Sequence, residues 1–107
     1  MAHPVARLRD LPDPGLLSVA LPSGERLVLI RRNGVVAALA DACTHQAMPL
    51  SAGELTNDGA IECPWHGARF DRTSGRCLRG PAADDVPAYD VRIEGDQVFI
   101  EGERAAR

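Results

Sequence analysis

Apolar residues along this chain recur in short runs broken by turn signals. VARL near Val5, LLSVAL at 16–21, RLVLIR at 26–31 and VVAALA at 35–40 read as strands, with weak helical periodicity throughout. Asn33-Gly34 separates the last two runs and predicts a two-residue hairpin turn, both of whose positions favour positive φ. Pro22-Ser23-Gly24 marks the turn before it. Near the C-terminal end, YDVRI (89–93) and QVFIE (97–101) flank Glu94-Gly95-Asp96 and predict a closing hairpin whose residues alternate inward and outward.

Between these strand-rich ends, the segment from about 42 to 88 is dense in Gly, Pro, Cys and His, with short strand candidates at AIEC (60–63) and ARFD (68–71). Something other than apolar packing has to hold such loops together. The pattern predicts an all-β fold, an antiparallel β-sandwich or small barrel with a loop-rich subdomain at one end. No repeat, low-complexity tract or linker interrupts it, and 107 residues fit one domain spanning 1–107.

Composition narrows the function classes. With four aromatic residues, the core must come from Val, Leu, Ile and Ala, and a metal centre would help such a chain stay folded. A net charge of −3 argues against an electrostatic nucleic-acid binder. No run approaches the ~18 apolar residues of a membrane span, and the first residues carry no apolar signal-peptide core, so a cytoplasmic protein is expected. The three cysteines, Cys43, Cys63 and Cys77, are an odd count that cannot build a fully paired disulfide framework, which favours metal ligation or a bystander role.

Two of the three cysteines and two of the three histidines fall into short motifs, Cys43-Thr44-His45 and Cys63-Pro64-Trp65-His66, separated by seventeen residues. Thiols and imidazoles become strong ligands once a metal displaces their protons, so Cys43, His45, Cys63 and His66 are the candidate metal ligands. Zinc competes on donor set, because two Cys and two His satisfy a tetrahedral site. Zinc fingers commonly place two Cys before two His, whereas this chain alternates them. Cys77 lies outside both motifs and reads as a thiol rather than a ligand; His3 lies near the N-terminus.

The paired motif C-T-H and C-P-W-H-G, followed by FDRTSGRCLRGPA (70–82), resembles the Rieske-type [2Fe-2S] ferredoxins of bacterial ring-hydroxylating dioxygenase systems over nearly the whole chain. That resemblance implies one [2Fe-2S] cluster, with Cys43 and Cys63 on one iron and His45 and His66 on the other. It places Pro81 on a loop covering the cluster and the added electron on the His-ligated iron. Trp65 reads as a cover that excludes water. High-potential relatives carry a disulfide beside the cluster, and Gln46, Ala47, Met48 and Trp65 leave no place for one. They also put hydroxyl donors where this chain has Ala68 and Phe70, so a potential toward the lower end of about −150 to +300 mV is expected. Ala47 stands where the family usually has Gly, which would add roughly 1 to 2 kcal/mol of strain if that site needs positive φ.

The resemblance implies a one-electron carrier, not an enzyme, between an NAD(P)H-dependent flavoprotein reductase and a terminal oxygenase. With two of three histidines committed, the chain has no facial triad for oxygen chemistry, and no nucleotide fingerprint is present. A redox-sensing module, a nitrite-reductase small subunit and a structural zinc domain are the alternatives. Arg69, Arg72, Arg76 and Arg79 crowd the sequence after the second motif, as a solvated surface or as a docking charge.

Overall fold

The computed structural model describes residues 4–42, 49–63, 67–79 and 84–103. The strands in chain order are β1 (Pro4–Arg7), β2 (Gly15–Ala20), β3 (Arg26–Arg32), β4 (Val35–Ala40), β5 (Glu54–Leu55), β6 (Ala60–Glu62), β7 (Arg69–Asp71), β8 (Cys77–Arg79), β9 (Ala88–Glu94) and β10 (Gln97–Glu103). Six of them form an antiparallel sheet in the order β1-β10-β9-β4-β3-β2, curled so that its edges β1 and β2 approach one another as in a nearly closed barrel. The other four form a small sheet, β5-β6-β7-β8, supplied by the loop-rich middle of the chain.

The hydrophobic run in β3 shows why the two sheets stack. Leu27, Val28, Leu29 and Ile30 are all fully buried, so this strand has no solvent face. Side chains alternate across a strand. Leu27 and Leu29 point into the barrel with Leu11, Ala38, Tyr89 and Val98, whereas Val28 and Ile30 join Leu39, Leu50, Ile61 and Phe70 in a second cluster between the sheets. Burying each such aliphatic side chain contributes about 1.5 to 3 kcal/mol.

The predicted β3–β4 hairpin turns at Asn33 (φ 53°) and Gly34 (φ 80°), where the Asp13 carboxylate accepts both backbone N–H groups at 2.9 Å. AIEC and ARFD become β6 and β7, each shortened to three residues. The two-residue β5, the three-residue β8 and two 3-10 turns, Leu8–Asp10 and Leu50–Ala52, are additions to the predicted elements. They are too short for periodicity to register.

Candidate metal centre

Cys63 follows directly on β6, and its side chain packs in the inter-sheet cluster beside Leu50, Ala68, Phe70 and Val86, with only 3% of the residue exposed. Its N–H donates to the Ala68 carbonyl at 2.7 Å, closing a six-residue loop between β6 and β7. Gly67 on that loop has φ 69°, a conformation available to glycine without strain. Cys43, His45 and His66 lie outside the described residues, as do His3, Ala47, Trp65 and Pro81.

The chain enters and leaves residues 43–48 through a polar clasp. Asp41 Oδ1 accepts the Ser51 N–H at 2.7 Å, while Asp41 Oδ2 accepts the hydroxyls of Ser51 at 2.8 Å and Ser18 at 2.9 Å. Arg26 donates in turn to the Ser18 hydroxyl at 3.1 Å, so the clasp is fastened to β2 and β3 of the barrel. On the far side of the clasp Leu50 is fully buried in the same cluster as Cys63.

A third closure joins Gly75 to Val86. Gly75 adopts φ 75° and its carbonyl accepts the Val86 N–H at 2.7 Å; a Cβ at Gly75 would lie 1.9 Å from the Val86 oxygen. The turn carrying Gly75 is organised by Asp71. Asp71 Oδ1 accepts from Thr73 N–H (2.8 Å), Thr73 hydroxyl (2.7 Å) and Ser74 N–H (2.9 Å). Burial pushes this carboxyl up, but those donors outweigh it and hold the pKa at about 2.

Cys77 forms no disulfide with Cys63. Its backbone N–H donates to Asp85 Oδ1 at 2.8 Å, and its half-buried side chain packs on the edge of the inter-sheet cluster. Of the crowded arginines, Arg69 is held by Glu62 at 2.9 Å and Asp58 at 3.6 Å. Asp41, Ser51, Gly75 and the Ala68 carbonyl escape sequence reasoning because none is itself a ligand type with a telling spacing. The one available signal is that Asp41 and Asp71 sit at strand ends, where short polar side chains cap turns.

The donor set fits an iron–sulfur cluster. A cysteine at a strand end, buried among apolar groups in a loop closed by its own amide, suits a thiolate held away from water, and His45 and His66 of the motifs are of the residue type that would complete the coordination. Fold and donors define a small all-β domain whose second sheet carries a candidate metal ligand, Cys63, at the end of β6. The comparisons make that class specific: residues 1–90 match the model of the Rieske [2Fe-2S] domain, and the chain belongs to that family.

The ferredoxin component of the naphthalene 1,2-dioxygenase system of Pseudomonas aeruginosa is 37% identical over 94 residues, 88% of this chain and 88% of that one. Apoptosis-inducing factor 3 of Homo sapiens is 32% identical over 102 residues, 95% of this chain but only 16% of that protein. Among solved structures, a chain in the complex of reduced oxygenase and oxidized ferredoxin of carbazole 1,9a-dioxygenase superposes with TM-score 0.87. That match is 26% identical and covers 99% of this chain and 97% of the other. Within the described residues, no helix is long and apolar enough to cross a membrane.

Proposed function

We propose that the protein is a one-electron carrier of a multicomponent oxygenase system, accepting electrons from an NAD(P)H-dependent flavoprotein reductase and delivering them to a terminal oxygenase. The observation that carries this reading is reciprocal coverage: the match spans 88% of the chain and 88% of a dioxygenase ferredoxin, against 16% of apoptosis-inducing factor 3. The oxygenase as partner is supported by the neighbour found in a ferredoxin–oxygenase complex. The reductase is the class of donor such a system requires. We place the carrier in the cytoplasm and treat 1–107 as one domain.

In this reading Cys43 and Cys63 hold one iron and His45 and His66 the other. The bound cluster supplies a reversible one-electron couple. The chain's own residues do the rest. Cys63 sits where Phe70, Leu50 and Ala68 exclude water from its sulfur, and the Asp41 clasp fixes the strand end from which Cys43 and His45 depart. Ala68 and Phe70 offer no side-chain hydroxyl to a sulfur, which keeps the expected potential low in the Rieske span.

The test is to quantify iron, acid-labile sulfide and zinc in anaerobically purified protein, with spectra before and after dithionite. About two irons and two sulfides per chain with a reducible chromophore are expected. Zinc near one per chain without sulfide, after expression with adequate iron, would overturn the carrier in favour of a structural metal domain.

A further inference from the structure

Four charged residues form one register row across the small sheet: Glu54 lies opposite Glu62, Glu62 opposite Arg69, and Arg69 opposite Arg79. The adjacent row contains Ile61 and Phe70, both fully buried, so Glu54, Glu62 and Arg69 occupy the outer face, and a register shift between the Phe70–Cys77 and Arg69–Arg79 pairs brings the exposed Arg79 into line with them. The charged row stands at the end of the sheet that bears the Cys63 loop. Cys63 follows Glu62 directly, and Arg79 Nη2 and Glu62 Oε2 lie 3.5 and 4.0 Å from where a Gly67 Cβ would be.

Along the row the charges run minus, minus, plus, plus. The inner two satisfy each other, Arg69 Nε donating to Glu62 Oε1 at 2.9 Å. The outer two, Glu54 and Arg79, are exposed, and among the described residues neither side chain has an oppositely charged partner. Glu54 instead faces Glu62 across the ladder, and Arg79 faces Arg69 beside the register shift, an arrangement of like charges that weakens a sheet. A partner bringing a cation over Glu54 and an anion over Arg79 would relieve both repulsions, and the order of charges fixes its orientation. Leu78, 54% exposed beside Arg79, adds an apolar contact at the basic end.

We propose that this row is the surface on which the protein docks a redox partner that presents a basic group toward β5 and an acidic group toward β8. The inference rests on the carrier reading above. The competing explanation is that Arg79 only guards the β8 edge against pairing with another chain.

Stopped-flow oxidation of the dithionite-reduced holoprotein separates the two, using cytochrome c as a cationic acceptor and hexacyanoferrate(III) as an anionic one. At low ionic strength Glu54→Arg slows transfer to cytochrome c and speeds transfer to hexacyanoferrate, while Arg79→Glu does the reverse, each by about fivefold and fading with salt. Glu54→Gln and Arg79→Gln show the same signs with smaller changes. Arg7→Glu, an equal change in net charge at an exposed position on β1, leaves both rates within about twofold. Rates that respond to the row variants no more than to Arg7→Glu overturn the docking face and leave the carrier standing. A wild-type protein without a reducible chromophore overturns the carrier reading itself, and with it the row.

Discussion

Removing the Asp41 carboxylate tests whether the barrel governs the segment that carries the candidate ligands Cys43 and His45. Its two oxygens accept three hydrogen bonds, two from Ser51 and one from Ser18, in a half-buried setting. Hydrogen bonds to a charged group contribute about 1.5 to 3 kcal/mol each when broken singly, but these three share one acceptor, and water can reach part of the site. Asp41→Ala is therefore expected to destabilise the fold by about 3 kcal/mol, the Ser51 N–H being left to find another acceptor. For a domain of this size that lowers Tm by about 12 °C or more.

The consequence for the site is larger than the consequence for the barrel, because the clasp ties Asp41 to Ser51 on either side of the first motif while the barrel strands keep their own ladders. Iron and sulfide content per chain should fall below half of wild type in Asp41→Ala, with far-UV circular dichroism retained. Asp41→Asn keeps one carbonyl for the Ser51 N–H and should lose about 1 kcal/mol, as should Ser18→Ala, which removes one of the three bonds. Urea unfolding alongside metal analysis reads both effects. Asp41→Ala within 0.5 kcal/mol of wild type and fully loaded with iron would refute the clasp.

Other substitutions probe the remaining closures and the ligands. Cys63→Ser should abolish the reducible chromophore, whereas Cys77→Ser should retain iron, sulfide and spectrum; metal analysis of both separates ligand from bystander. Gly75→Ala meets both a φ of 75° and a carbonyl 1.9 Å from the new Cβ, so it should destabilise by about 3 kcal/mol in urea unfolding. Asp71, held at about 2 against an ordinary 3.8, favours the fold above about pH 4, and that contribution is lost as pH falls toward 2. With partial exposure discounted it amounts to about 1 to 2 kcal/mol, so the gap in urea midpoint between wild type and Asp71→Asn should narrow from pH 6 to pH 3.

Strands β1 to β4, β9 and β10 were legible because each carries four or more consecutive residues of apolar or alternating character, and Asn33-Gly34 fixed one hairpin by its φ requirement alone. The small sheet was half legible. Ile61 and Phe70 announce β6 and β7, but β5 and β8 have few residues and owe their place to pairing with strands distant in the chain. Of the candidate site, ligand spacing nominates Cys43, His45, Cys63 and His66, of which Cys63 lies among the described residues. The loop closures were not legible, since Ala68 and Gly75 act through backbone carbonyls that any sequence possesses and the Asp41 carboxylate meets serines 10 and 23 residues away, and only the folded chain shows which ones meet.

These closures follow from the composition of the middle segment. A loop rich in Gly, Pro, Cys and His has too few aliphatic side chains to bury, so the chain cannot order it by extending the core. Instead each segment is closed by a different polar device: a carboxylate clasp at Asp41, a backbone bond between Cys63 and Ala68, and a glycine pressed against Val86. All three are anchored beside Leu50, Cys63 and Val86, which share one apolar cluster under the small sheet. That cluster does two jobs at once. It fastens the small sheet to β3 through Val28 and Ile30, and it keeps the Cys63 side chain from water. A core substitution there, Phe70→Ala for example, therefore weakens the fold and opens the surroundings of Cys63 together, whereas a substitution inside the barrel at Val98 affects stability alone.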